Sequence, residues 1–254
     1  MDQKEIILKR TEKVIYRDGK EIVKAFDSHV AKAKAFHEAW NHANIEETGL
    51  YVPKIKSVSK RDGKWAIISE YIEGETLRNR IRQDSENREK YLEMFVQLQI
   101  EVHHKQIDDL ENLYDKVSQK IMRTDLDATV RYDFYQKIQA MPKQNQLCHG
   151  DFLPSNIILS HDNHLYILDW SHASSGSREA DVAKTYITIY LSNKENAKKY
   201  LSLYLKNSDI KLEDIQTWMP IMAASRLADN RDDNKEILLE VINGKNILFV
   251  EEEE

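Results

Sequence analysis

The stretch "LCHGDFLPSNIILSHDNHLYILDW", residues 147–170, decides the reading of this chain. Two short apolar runs, Ile157–Ser160 and residues 165–168, flank Asp162-Asn163, a turn pair. A tight hairpin brings the start of its first strand and the end of its second to the same side. Asn156 stands just before the first run and Asp169 just after the second, 13 residues later. Asp151 lies five residues ahead of Asn156. An amide oxygen and a carboxylate suit Mg²⁺, which takes one or two protein ligands and leaves its other positions to phosphate and water. Asp151 then stays free to accept a hydroxyl proton, which completes the parts for phosphoryl transfer. Taken singly, Asp151 can cap a turn, Asn156 can sit in an Asx-turn and Asp169 can simply end a strand. The chemistry is carried by their joint spacing. His149 reads as a hydrogen-bonded scaffold residue and Cys148 as a small buried one. His161, His164 and His172 lack the spacing of zinc ligands.

Outward from this stretch, the first 70 residues read as strands around one helix. Arg17-Asp18-Gly19-Lys20 and Asp62-Gly63 are hairpin signals between short apolar runs. Ser28 is a candidate cap for a helix over residues 29–45, with Val30, Ala33, His37 and Trp40 at helical spacing. Gly49 marks its exit and Pro53 opens the next extended piece. The expectation is a five-stranded antiparallel sheet with one crossing helix. Beyond residue 74 helical periodicity takes over, at residues 91–104, 113–123, 126–140, 182–191, 195–205 and 212–228. Leu92, Phe95, Val96, Gln99, Val102 and His103 form one helix face.

The combination "HGD…N" followed by "ILDW" resembles the aminoglycoside phosphotransferase and choline kinase group, the small-molecule branch of the protein-kinase-like fold. His149-Gly150-Asp151 stands where protein kinases carry His-Arg-Asp, and Asp169-Trp170-Ser171 where they carry Asp-Phe-Gly. The resemblance implies an α+β, bilobal fold. A small antiparallel N-lobe with one helix (1–69) binds nucleotide, a hinge (70–74) follows, and a larger helical C-lobe (75–254) holds the catalytic and substrate sites. It implies that Asp151 is the catalytic base and that Asn156 and Asp169 hold Mg²⁺. In "EIVKAF" it assigns Lys24 to the nucleotide phosphates, ahead of Lys20 in the turn. It pairs Lys24 with Glu38 of the crossing helix. "IISEYIEGETL" is similar to the family's hinge, so that backbone groups of Glu70 and Ile72 bond the adenine, with Tyr71 nearby. Asp181 in "ADVAKTY" reads as a helix cap or loop anchor. One departure stands out. The loop expected to cover the phosphates, Arg10-Thr11-Glu12-Lys13, contains no glycine, the residue that eases close approach of backbone N–H groups.

The implied activity is transfer of the γ-phosphate of ATP or GTP, with Mg²⁺, to a hydroxyl of a small molecule that is aminoglycoside-, choline- or sugar-like. The alternative is a nucleotide-binding pseudokinase or regulatory module without turnover. The latter draws on the glycine-free loop and is opposed by the intact Lys24, Glu38, Asp151, Asn156 and Asp169. A protein kinase is disfavoured. Only about ten residues separate Asp169 from the next helix, too few for a peptide-docking segment, and no Ala-Pro-Glu follows.

Composition agrees with a folded enzyme. The 254 residues are 41% hydrophobic and 31% charged, with one cysteine, which excludes an internal disulfide. The expected compartment is the reducing cytoplasm, since the opening residues lack a signal peptide's apolar core and no run approaches a membrane span. The net charge of −6 argues against nucleic acid as the main partner. Residues 1–69 hold 14 Lys/Arg against 10 Asp/Glu and the remainder is acidic. The first part suits an anionic nucleotide, the second a cationic acceptor. Asp229, Asp232, Asp233 and Glu236 are candidates for an acidic acceptor wall, with a solvated helix end as the plainer reading. Trp170 and Trp218 are candidates for an aromatic cage around a quaternary amine. The acidic end, residues 251–254, reads as solvated, and the chain as a monomer or homodimer.

Overall fold

The computed structural model describes residues 4–229 and 234–248; Asp232, Asp233 and the acidic end 251–254 lie outside the described residues. The chain divides into two compact units, residues 1–83 with 154–172, and residues 84–153 with 173–254.

The first unit is built on a five-stranded antiparallel sheet in the order β1-β2-β3-β5-β4. Its strands are β1 (Glu5–Lys9), β2 (Lys13–Asp18), β3 (Glu21–Phe26), β4 (Ile55–Arg61) and β5 (Lys64–Glu70). Arg61 pairs with Lys64, which leaves Asp62-Gly63 as a two-residue loop with φ of 52° and 78°, the mirror-image turn that Asp-Gly favours. In the β2–β3 hairpin Asp18 pairs with Glu21, so the loop is Gly19-Lys20, one residue later than the Asp-Gly pair. Alternation along the strands sorts side chains to two faces. Tyr16, Val23, Ala25, Ala66 and Ile68 pack together on one. Phe26 and Ile67 pack on the other against Ala35 and Ala39 of α1 (Lys32–Glu46). Lys24, two residues before Phe26, therefore lies on the α1 side.

Helix α1 departs from the sequence reading in two respects. It starts at Lys32 without a side-chain cap, and Ser28 instead bonds Asp27 in the preceding turn. The buried stripe is Ala35, Glu38, Ala39, Asn41 and Ile45, whereas Trp40 is 57% exposed and Ala33 and His37 lie outward. Val30, ahead of the helix, does pack against this core, but within the helix the expected pattern missed the inward face, which carries an ionisable residue and small alanines. The alanines let the helix approach the sheet closely.

The hairpin strands β8 (Ile157–Ser160) and β9 (Leu165–Ile167) pair as expected, with Asn163 at φ 65° in the turn. A third strand joins them. β6 (Gly74–Thr76) pairs with β8 and leads into α2 (Leu77–Gln83). Gly74 is required there, because a Cβ would lie 2.8 Å from Ser160 Cα and 2.8 Å from Ile158 Cγ2.

The second unit is mainly helical, with α3 (Arg88–His103), α4 (Leu113–Met122), α5 (Ala128–Ala140), α6 (Arg178–Ser192), α7 (Lys194–Asn207), α8 (Leu212–Leu227) and α9 (Lys235–Ile242). Asn112, Asp127, Ser177 and Asn193 cap α4 to α7 through side-chain oxygens. All six residues of the expected α3 face are buried. Gln99 within it accepts from Tyr200 Oη at 2.7 Å and donates to Thr185 Oγ1 at 3.2 Å, so its amide is satisfied inside the core. A two-stranded ladder of β7 (Gln146–Cys148) and β10 (Ser174–Gly176) brackets the sequence that leads to Asp151. No helix among the described residues is long and apolar enough to cross a membrane.

Candidate active site

Within the first unit, four charged side chains converge. Lys24 of β3 forms an ion pair with Glu38 of α1, both about nine-tenths buried. Lys24 Nζ also lies 2.8 Å from Asp169 Oδ1. Asp169 follows β9, and its placement has a local cause. Trp170 is fully buried, its Nε1 donating to Ile167 O at 3.3 Å, and the 3-10 turn Trp170–His172 packs against α1. This anchors Asp169 beside Glu38 and leaves it at φ 59°, a left-handed conformation that Asp tolerates better than most residues. Ser171 Oγ donates to Asp169 Oδ1 at 2.9 Å.

Electrostatics fix the charges. Burial alone would lower the Lys24 ammonium, but Glu38 and Asp169 outweigh it and raise its pKa. Burial alone would raise the Asp169 carboxyl, yet the Lys24 and Lys13 charges hold it well below the usual carboxylate range. Asp169 is thus ionised under all ordinary conditions, as a cation ligand must be.

Asn156 ends the 3-10 turn Pro154–Asn156, and its carbonyl accepts from Leu168 N at 2.8 Å. The backbone of Asn156 is thereby tied to the residue preceding Asp169. An amide oxygen and a carboxylate are hard donors that fit Mg²⁺. Glu70 ends β5. Its N–H donates to Lys54 O at 3.0 Å and its Oε2 accepts from Lys54 N at 3.2 Å. Ile72 follows in the irregular segment before β6, and the Tyr71 ring is covered by Arg17, 3.9 Å from its centroid.

In the second unit, Asp151 is half-buried on a loop held from behind. Gly150 turns the chain at φ 75°. Asp181 accepts from Gly150 N at 2.8 Å and from His149 N at 3.2 Å, and His149 Nδ1 accepts from Asp151 N at 3.1 Å. His149 is a fully buried scaffold residue, edge-on to Phe152. Asp181 is a loop anchor and not a helix cap; Ser177 caps α6. Behind it, His103 bridges Asp181 Oδ2 (3.1 Å) and Tyr204 Oη (2.7 Å). Burial would raise the Asp181 carboxyl, but the bond to His103, its charge and the backbone amides outweigh it and hold the pKa at about 2 against an ordinary 3.8. That depression contributes about 2 kcal/mol of stability, present in full above pH ~3.8 and lost as pH falls towards 2. Acid unfolding followed by circular dichroism is expected to be steeper between about pH 4 and pH 2 for the wild type than for Asp181→Asn.

Sequence reasoning missed two cations. Lys13, at the junction of the expected phosphate-covering loop and the strand after it, opens β2 and reaches Asp169 Oδ2 at 3.5 Å. Strand parity could have found it, because Lys13 shares β-parity with Ile15, the partner of Lys24. Lys184 of α6 is pushed down to about 8, by burial first and Lys120 second, with Asp151 foremost among the opposing charges. No periodicity signal marks it. Cys148 is buried and its thiol pKa is raised by burial, which makes it inert. Trp170 and Trp218 are core residues of their own units, 1% and 5% exposed, and neither forms a cage wall. Asp229 is paired with Lys120 at 2.6 Å and Glu236 lies exposed in the first turn of α9.

A model of the phosphotransferase enzyme family matches residues 8–201. The chain belongs to the phosphotransferase enzyme family. It is a small-molecule phosphotransferase with a hydroxyl acceptor. No curated protein sequence matches it. Among solved structures it is similar to the choline kinase LicA from Streptococcus pneumoniae, with 18% identity and a TM-score of 0.62 over 92% of this chain and 86% of that one. It is also similar to a thermostable mutant of the aminoglycoside phosphotransferase APH(4)-Ia, with 13% identity and a TM-score of 0.67 over 96% of each chain. The streptomycin-ATP-APH(2")-IIa ternary complex matches at 14% identity and a TM-score of 0.64, over 97% of this chain and 94% of that one. The α+β, protein-kinase-like fold expected from the sequence is therefore the fold of this phosphotransferase.

Proposed function

We propose that this phosphotransferase moves the γ-phosphate of ATP, or of GTP, to a hydroxyl of a small molecule, with Mg²⁺ as cofactor. The observation that carries the reading is the Lys24–Glu38 ion pair extended to Asp169. It presents a buried ammonium, held charged and in place, next to an ionised oxygen donor. The nucleotide choice draws support from relatives of the same fold whose structures contain ATP or AMP-PNP.

In this reading Lys24 binds the nucleotide phosphates and Glu38 fixes the lysine. Backbone groups of Glu70 and Ile72 bond the base, at the hinge 70–74. Asn156 and Asp169 hold Mg²⁺, which when bound neutralises phosphate charge. Asp151 orients the acceptor hydroxyl and takes its proton as the new O–P bond forms. The bond from phosphorus to the bridging oxygen breaks, and the nucleoside diphosphate leaves with that oxygen's electron pair. His149, Gly150 and Asp181 keep Asp151 in position.

A nucleotide-binding module without turnover is the second reading, favoured by the β1–β2 turn. It lacks glycine and spends the Arg10 N–H on Lys13 O at 2.9 Å. Screening hydroxylated compounds, cationic and neutral, for acceptor-dependent consumption of ATP separates the two. Turnover that requires both an acceptor and Mg²⁺ is expected. Nucleotide binding with no turnover for any acceptor favours the second reading.

A further inference from the structure

The β1–β2 turn poses a problem for the proposed nucleotide site. Phosphate-covering loops work by presenting several free backbone N–H groups at close range, which glycine permits. Residues 10–13 contain none. The turn is also tied down, by one bond within it and two to its neighbours. Arg10 N donates to Lys13 O at 2.9 Å, the Glu12 carbonyl accepts from Asp27 N at 2.8 Å, and the Glu12 carboxylate pairs with Lys34 at 2.6 Å. The Arg10 N–H is thus spent within the turn, and the Glu12 carboxylate adds a negative charge beside it.

The first residue of β2 is placed to compensate. Lys13 pairs with Phe26 and Ile15 with Lys24, so Lys13 and Lys24 are diagonal neighbours on the α1 side of the sheet. Their ammonium groups reach the two oxygens of one carboxylate, Lys24 at Asp169 Oδ1 and Lys13 at Asp169 Oδ2. The Lys13 side chain is only 16% exposed. A long cationic side chain held this far from water, on a carboxylate already served by Lys24, is not an ordinary surface lysine. The formal charges of Lys13, Lys24, Glu38 and Asp169 cancel. Were a divalent cation held by Asp169, its charge would compete with the two lysines for that carboxylate, and the Lys13 ammonium would need another anion as partner.

We infer that Lys13 is a second phosphate ligand, binding the β- and γ-phosphates from the β2 side in place of the backbone amides that a glycine-rich loop supplies. The inference rests on the nucleotide reading above and names a residue for the part of the nucleotide that the turn leaves uncovered. A phosphate oxygen replaces Asp169 Oδ2 as the partner of Lys13, so the ammonium exchanges one anion for another. Because the contact is to the outer phosphates, it discriminates ATP and ADP from AMP.

The test is calorimetric titration of the full chain with ATP, ADP and AMP, with and without Mg²⁺, for the wild type, Lys13→Met, Lys13→Arg and Lys24→Met. Lys13→Met is expected to weaken ATP and ADP roughly tenfold or more and AMP by less than about twofold. Lys13→Arg is expected to restore ATP to within about threefold, since the charge and reach are kept. Unchanged ATP affinity in Lys13→Met, with affinity lost in Lys24→Met, overturns the role of Lys13 and leaves the nucleotide reading intact. Equal weakening of ATP and AMP also overturns it, as general damage to the sheet. If the wild type binds neither ATP nor ADP, both the inference and the nucleotide reading fall.

Discussion

Replacing Asp151 by asparagine lowers kcat roughly 10²- to 10⁴-fold, the span that removal of a positioned general base covers. The substitution is nearly isosteric. The loop is held by Asp181 through the Gly150 and His149 amides and by His149 through the Asp151 amide, and none of these bonds uses the Asp151 carboxylate. The fold and the affinity for ATP are therefore expected to stay near wild type, while the chemical step fails. Single-turnover kinetics with a competent acceptor, set beside calorimetric ATP affinity, separate the two quantities. A kcat within about twofold of wild type would remove Asp151 from the role of base.

The second large effect concerns Lys24. Lys24→Met takes the cation from between Glu38 and Asp169 and leaves Glu38 as a buried carboxylate without its partner. Breaking a buried pair from one side costs about 3–5 kcal/mol, because the remaining charge keeps its desolvation penalty. Urea unfolding should show this as a lower midpoint at unchanged slope. Lys24→Met combined with Glu38→Leu is expected to recover most of the stability, since both charges are then gone from an interior that already holds Ala35 and Ala39. ATP affinity is expected to stay lost in the double variant. Stability and nucleotide binding then part company, which a merely structural ion pair would not produce. A double variant that regains both would contradict the proposed contact of Lys24 with phosphate.

What could be read in advance follows from which residues carry local signals. Asp-Gly turns and alternating apolar runs mark the sheet, and the two spacings among Asp151, Asn156 and Asp169 mark the hairpin. Each depends only on neighbours in the chain. The α1 face was misread because hydrophobicity is a poor guide where a helix turns an ion-pair partner inward. Glu38 and Asn41 are buried while Trp40 is exposed. Lys13 was hidden for a related reason. A lysine at a strand start has no periodic signature, and its direction emerges only when the β2–β3 register is known. The strand β6 was missed because three residues are too few to show a period. His103 was visible as a helix-face residue and Asp181 as a cap or loop anchor, but their union through 78 residues of chain required the fold.

The most direct measurement is detection of the transferred phosphate itself. Wild type and Asp151→Asn are incubated with Mg-ATP and an acceptor from the hydroxyl screen, and the products are followed by phosphorus NMR. The account predicts ADP and a new phosphate monoester of the acceptor in equal amounts from the wild type, and neither above background from Asp151→Asn. Equal product from both proteins, or ADP with free phosphate and no monoester from the wild type, would contradict it.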